Sequence, residues 1–420
     1  MPDDRERHRP TRADVRMRGF ADRVSVEQAT RWIDAQARIL ADEEIDAADG
    51  AGRVLALAVT TKRDLPSEDR AGEDGYAIRA GETIGAGDYN PLPFVLGSPD
   101  RALPPGAAVP IVSGAALPAG SDAVLPFEAA QPNHGMLEIY AAVAPGSGVE
   151  RRARQAATGT VLIEKGRRLH AQDLGLIASI GLGRVRAVRQ PRIVLISAGP
   201  KTSGGCEVQD ADEPMLRALV RCDGGVVVHV ASQAGTRAAM VEAMTMTTHE
   251  ADAVLVAGRT GTGADDEAPM ALAEAGELAI HGVALRPGGS AGMGLVRGTP
   301  VVLLPGDPLA CLCAYEMIAG RLVRSLGGLD PEPRDRCRVV EVGRKIVSAV
   351  GLVDICQVRL VGDRAEPVGS GASVGLLPAV RADGFVVVPA PMEGYAPGAR
   401  VVMYAYGEAG TVGRNGERER

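Results

Sequence analysis

The chain has 420 residues, 45% of them hydrophobic but only 3% aromatic, so it can bury a sizeable core that must be built from Ala, Val, Leu and Ile. Its net charge of −7 argues against a sequence-independent nucleic-acid binder, although a local pocket can still be basic. Six cysteines, at positions 206, 222, 311, 313, 337 and 356, form no CxxC pair and have no His cluster beside them, which argues against a zinc site or a disulfide framework.

Residues 1–19 are polar and lack an apolar h-region, so a disordered tail is expected there rather than a secretory signal; 408–420 read the same way. No apolar run is long enough to span a membrane. A cytoplasmic protein with neither nucleic acid nor membrane as partner is expected. The periodicity predicts an amphipathic helix over 26–40 with Ser25 as its N-cap, then a short apolar strand over 54–59. From 62 to 148 helical periodicity gives way to proline, glycine and short β-like runs, such as 108–113 and 123–127, so a β-rich insertion is expected. Helical pattern returns over 171–180.

Pro191 opens a different region. Strands are predicted at 192–197, 226–230, 253–256 and 300–304, with helices at 214–221, 236–246, near 267–275, and 309–326. Such alternation means parallel βαβ units with both sheet faces covered. Cys311 and Cys313 fall in the last helix, where i and i+2 point apart, and read as buried reduced thiols. A last β-rich unit runs from about 331 to 406.

Ligands in parallel α/β folds gather at the carboxyl ends of strands. Four glycine-bearing loops are expected at those ends: 197–205, 258–266, 286–294 and 305–308. In 258–266 the glycines let backbone amides approach an anion, and Asp265 with Asp266 could hold Mg²⁺ beside a phosphate; on spacing alone a plain turn with N-capping acids is the favoured reading. Arg286-Pro287-Gly288-Gly289-Ser290 suits a phosphate or a solvated turn, and Pro305-Gly306-Asp307-Pro308 a helix-starting turn. In the insertion, Asp69 and Asp74 are either an acid–base or metal pair or exposed loop acids.

Several segments also follow one another as a signature: GRVLA (52–56), DRAGEDGYA (69–77), IVSGA (111–115), LPAGSDAVLPFE (117–128), GRRLHAQDLGLIASIG (166–181), PRIVLISAG (191–199), PGDP (305–308) and GSGASVGLLPAVRADGFVVVP (369–389). In this order they resemble the molybdopterin molybdenumtransferase family, the MoeA and gephyrin E-domain group, over about residues 24–406. The resemblance implies a multidomain α/β fold. A discontinuous linking domain would hold 20–61 and 149–190, with a β-rich domain inserted at 62–148. A MogA-like α/β molybdopterin-binding domain would follow at 191–328, and a β-barrel-like domain at 329–407. It further implies a homodimer with its site between subunits, served by a MogA-type protein or a molybdoenzyme as partner. The implied reaction inserts molybdate into adenylylated molybdopterin, releasing AMP with Mg²⁺. Carried over by position, Asp69, Asp74 and Asp266 would be catalytic. Ser113, Ser197, Gly199, Asp210, Gly258, Thr260, Gly261, Gly263, Pro305, Gly306 and Asp307 would bind the molybdopterin nucleotide. Arg286, Gly288, Ser290 and Ser370 would bind oxyanion, and Asp265 and Asp266 metal.

The departures from the family pattern fall on the reactive loops. STGDEL reads Ser197-Ala198-Gly199-Pro200-Lys201, and the end of RRGED reads Arg152-Ala153-Arg154-Gln155, without its acids. SGGVSVGxxD keeps only Gly258, Gly263 and Asp266. KPGKP loses one lysine to Gly289, PGNP carries Asp307, and DSN reads Asp210-Ala211-Asp212. Three activities are compatible with this pattern. They are an active molybdenum insertase, a non-catalytic paralogue that carries molybdopterin or serves as a scaffold, and a MogA-type adenylyl transfer at 260–263.

Overall fold

In the computed structural model, which describes residues 15–98, 101–199, 202–203, 206–207, 210–231, 235–368 and 375–406, the apolar runs after Pro191 build a six-stranded sheet. Its order is Val226–Ala231, Arg192–Ser197, Ala253–Ala257, Thr299–Leu304, Gly292–Val296 and Glu277–His281. The first four strands are parallel, and the last two are joined antiparallel to their neighbours. Alternate residues of each central strand face opposite sides, which is why these strands read as continuous apolar runs. Ile193, Leu195, Leu255 and Val302 pack with the helices Asp212–Cys222 and Pro308–Ala314 on one face. Val194, Ile196, Val254 and Leu303 pack with Met240, Met244, Ala271 and Leu272 on the other.

The sheet is therefore mixed, not purely parallel. Its two antiparallel strands lie in a stretch whose glycine-rich text reads as loop. The glycine is sterically required there: a Cβ on Gly294 would sit 1.8 Å from the Glu277 carbonyl oxygen. The predicted helix over 309–326 is also interrupted. It starts at Pro308, with Asp307 as N-cap, opens into a π-turn at Tyr315–Ala319, and resumes as Gly320–Leu326. At the turn the Tyr315 hydroxyl donates to Asp223 (3.0 Å), which also pairs with Arg324 (2.9 Å), all three buried. Cys311 and Cys313 are free and buried, as their pattern predicts.

Five strands close a barrel at the end of the described chain: Val353–Val361, Arg364–Pro367, Cys337–Val342, Arg400–Ala405 and Gly384–Val388, the last pairing back on the first. Leu285–Arg286 pairs with Val353 and Asp354 in this barrel sheet. The loop from Arg286 thus leaves the barrel sheet and not the carboxyl end of an α/β strand, so only three of the four expected loops occupy strand ends of the α/β sheet.

By compactness the chain divides into two units. The first holds the described residues up to Ile45, then Gly50–Ala56 and those from Arg186 onward; the second holds Asp46–Asp49 and Leu57–Val185. The helix Val26–Gln36 belongs to the first unit and begins with a full capping box, Ser25 Oγ accepting from Gln28 N at 3.1 Å. It stops short of residue 40 because Ala37 is extended. The expected strand over 54–59 is split. Leu55 makes an isolated bridge to Ala187, and Val59–Thr60 pairs with Val161–Ile163. The chain passes from one unit to the other between Ala56 and Leu57, so a single strand cannot serve both.

The second unit is β-rich, as expected. Its six-stranded sheet runs Ala123–Pro126, Gly75–Ile78, Ala107–Ile111, Leu92–Leu96, Met136–Ile139 and Ala130–Asn133. Tyr76, Ile78, Phe94, Leu125 and Leu137 fill one core. Among the described residues no helix is long and apolar enough to cross a membrane. The expected tails lie outside the described residues, except for 15–19. These five form a turn, with Met17 N donating to Thr262 O at 2.7 Å and Arg16 pairing with Glu267, so they are not a disordered tail.

Candidate functional site

Three neighbouring parallel strands, Arg192–Ser197, Ala253–Ala257 and Thr299–Leu304, end side by side. The loops leaving them touch backbone to backbone. Ala198 N donates to Ala257 O (2.9 Å), and Gly258 N to Leu304 O (3.0 Å). A Cβ on Gly306 would lie 3.1 Å from Gly258 Cα, and one on Gly258 would lie 3.4 Å from Gly199 N. Gly258 also has φ +96°, a conformation that favours glycine. The result is a seam of bare backbone where an anion can approach closely.

Polar side chains border this seam. Ser197 Oγ donates to Asp210, whose other oxygen accepts from Asp212 N at 2.9 Å. Asp307 caps its helix by accepting from Ala310 N (3.0 Å) and also accepts from Gly375 N (3.3 Å). Thr260 is buried; its Oγ meets Ser290 Oγ at 3.0 Å and its carbonyl meets His281 Nε2 at 2.9 Å. Asp266 turns one oxygen onto Gly263 N at 2.6 Å, and the Asp265 carbonyl accepts from Arg259 Nη1 at 3.0 Å. Ser197, Gly199, Asp210, Gly258, Thr260, Gly261, Gly263, Asp265, Asp266, Ser290, Pro305, Gly306 and Asp307 thus belong to one neighbourhood of loops. A cavity of about 470 Å³ opens beside it, lined by Arg16, Arg18, Arg23, Asp266, Met270 and His281 among others.

Arg286 is committed elsewhere. Its guanidinium makes a two-pronged ion pair with the buried Asp354 of the barrel, so its charge is neutralised within the protein. Among the described residues no three His, Cys, Asp or Glu side chains gather as metal ligands. With Asp266 engaged on its own loop, the described residues do not fit a Mg²⁺ held by protein side chains.

Asp69, Asp74 and Ser113 lie in the second unit and are anchored locally. Asp74 Oδ1 accepts from Ser113 N (2.7 Å), and Ser113 Oγ donates to Gly72 O (3.3 Å). Asp69 accepts from Arg152 N and Arg151 Nη1, both at 2.8 Å. The Arg152 amide, then the Arg151 guanidinium, hold its carboxyl below the usual range. Pro200, Lys201 and Ser370 lie outside the described residues.

Two groups stand out that the sequence did not single out. Asp212 is buried, and one of its oxygens has no hydrogen-bond partner. Burial, then the charge of Asp210, push its carboxyl up to about 7. Cys311 lies beside it, its thiol raised by burial. The second group is Arg259, whose side chain bridges two of the loops. A pair of acids one residue apart at a helix start was the only sequence signal for Asp212. For Arg259 it was an arginine where the family pattern has glycine.

Three family profiles match in chain order. They are the MoeA N-terminal region (domain I and II) over residues 24–181, the "probable molybdopterin binding domain" over 195–324, and the MoeA C-terminal region (domain IV) over 339–406. Molybdopterin molybdenumtransferase 2 of Mycobacterium tuberculosis is 31% identical over 328 residues, which cover 74% of this chain and 81% of that protein. The chain belongs to the molybdopterin molybdenumtransferase family. The family's enzyme from Staphylococcus aureus is 25% identical, covering 76% of this chain and 78% of its own. Two solved structures of the molybdopterin biosynthesis MoeA protein from Pyrococcus horikoshii superpose with TM-scores of 0.77 and 0.74, at 22% and 28% identity, each covering 92% of this chain and 100% of its own. The family's multidomain fold is therefore present here, with its α/β domain, β-rich parts and closed C-terminal barrel. Family membership places the protein in molybdenum cofactor biosynthesis.

Proposed function

We propose that the seam of strand-end loops binds adenylylated molybdopterin and that the protein inserts molybdate into it with release of AMP. The observation that carries this reading is the backbone contact of the loops at Gly199, Gly258 and Gly306, glycines that let a phosphate come close to the main chain. Ser197, Asp210, Thr260, Ser290 and Asp307 then supply directional hydrogen bonds around the nucleotide. The protein acts as a homodimer, with Asp69 and Asp74 as catalytic residues and Ser113 as a binding residue. The protein works in the cytoplasm, receiving its substrate from a MogA-type partner and passing its product to a molybdoenzyme. Because no side-chain cluster among the described residues fits Mg²⁺, no step of the reaction is assigned to a protein-held metal.

A second reading is favoured by two specific contacts. Arg286 is neutralised by Asp354, and Asp266 is folded onto Gly263. A protein so arranged would carry molybdopterin without turning it over. Measuring AMP release from adenylylated molybdopterin with molybdate, beside cofactor binding, separates the two. Release supports the insertase, and binding without release supports the carrier. Absence of binding refutes both.

A further inference from the structure

The 258–266 loop contains a residue where glycine would be more comfortable. Arg259 has φ +52°, in the left-handed region, directly after Gly258 at +96°. Resembling sequences read SGG where this chain reads Ala257-Gly258-Arg259. A non-glycine residue in that conformation persists when the surroundings hold it, and such strain gathers at ligand sites.

Here the holding contacts are visible. Arg259 Nε donates to Ala198 O at 2.7 Å, at the root of the first strand-end loop. Its Nη1 donates to Asp265 O at 3.0 Å, at the far side of its own loop. Arg259 O accepts from Ala268 N at 3.0 Å, tying the residue to the start of the next helix. The guanidinium is thus fixed in a half-buried position between the first strand-end loop and the far side of its own loop. Its third nitrogen, Nη2, has no hydrogen-bond partner among the described residues. The other arginine expected to meet an anion, Arg286, is spent on Asp354, and one family lysine position is Gly289.

We propose that Arg259 is the anion-binding residue of this site, presenting Nη2 to a phosphate of the ligand while its other donors lock the loops in place. The proposal rests on the reading that the seam receives a phosphorylated ligand, and gives the family's glycine loop in this chain a cation of its own. Planar guanidinium, fixed by two carbonyls, is suited to a phosphate oxygen in a way that a mobile lysine is not.

The test is equilibrium binding of pyrophosphate and, separately, of adenylylated molybdopterin to the full chain and to Arg259→Gly and Arg259→Gln. Glycine relieves the backbone, and Gln keeps a donor without the charge. Both variants should bind pyrophosphate at least roughly tenfold more weakly and with a flatter salt dependence, while unfolding at nearly the wild-type temperature. Unchanged pyrophosphate affinity in both variants, even with faster amide exchange in the loop, would overturn the proposal in favour of a purely structural clamp. So would a wild type that binds no pyrophosphate. Pyrophosphate binding that depends on Arg259, without binding of the pterin nucleotide, would uphold this inference and refute the ligand assigned above.

Discussion

Replacing Asp212 by Asn should stabilise the protein at pH 8 and flatten its pH dependence between about pH 4 and 7. Asp212 is 7% exposed, and its neighbours include the carboxylates of Asp210 and Asp307. Burial and those charges raise its carboxyl from 3.8 to about 7. The native state therefore holds this proton more tightly than the unfolded chain does. Between the two values the unfolded chain has released the proton, so stability falls as pH rises and the full cost is present above about 7. Roughly three pH units at ~1.4 kcal/mol each set a ceiling of ~4 kcal/mol, and a gain of ~2–4 kcal/mol is expected for the uncharged isostere at pH 8. At pH 4 the two proteins should nearly coincide. Urea unfolding at pH 4, 6 and 8 measures this directly, followed by fluorescence of Trp32, the chain's one tryptophan, which packs against the α/β core. The reasoning is refuted if the variant is no more stable than wild type at pH 8, or if both lose stability equally from pH 4 to 8.

Two further substitutions probe the fold. Ala153 has φ +58°, where a Cβ is strained, so Ala153→Gly should stabilise the second unit by ~0.5–1 kcal/mol in urea unfolding; a loss of stability would contradict the strain. Asp223→Ala strands the buried Arg324 guanidinium and the Tyr315 hydroxyl, and should cost ~3–5 kcal/mol in the same assay, whereas a cost below ~1 kcal/mol would mean that solvent reaches the triad.

Much of the fold was legible because its signals are local. The run Arg192–Ser197 is apolar at every interior position, and only a strand covered on both faces needs that. Ser25 announces the start of the first helix as its N-cap. The antiparallel edge was hidden because Gly276, Gly292 and Gly294 read as loop, while the reason for those glycines is a carbonyl on the neighbouring strand. The π-turn was hidden for the same kind of reason, since Asp223 lies far from Tyr315 in sequence. The site divides along the same line. Gly258, Gly306 and Asp307 could be picked out as turn residues, and they do meet. That Arg286 is neutralised depends on Asp354, 68 residues away, which no spacing rule reaches. Asp212 looked like an ordinary helix-starting acid until its burial beside Cys311 and Asp210 gave it a different titration. Arg259 showed only as a departure from the family's glycine, because the backbone dihedral and the two carbonyls that hold it are not written in the residue type.

The measurement that bears most directly on the proposed function is AMP production by the purified protein from adenylylated molybdopterin, with and without molybdate. AMP is expected to appear in step with molybdenum incorporation and only when molybdate is present. Tight nucleotide binding with no AMP released at saturating molybdate would contradict insertion and leave a molybdopterin carrier built on the same fold.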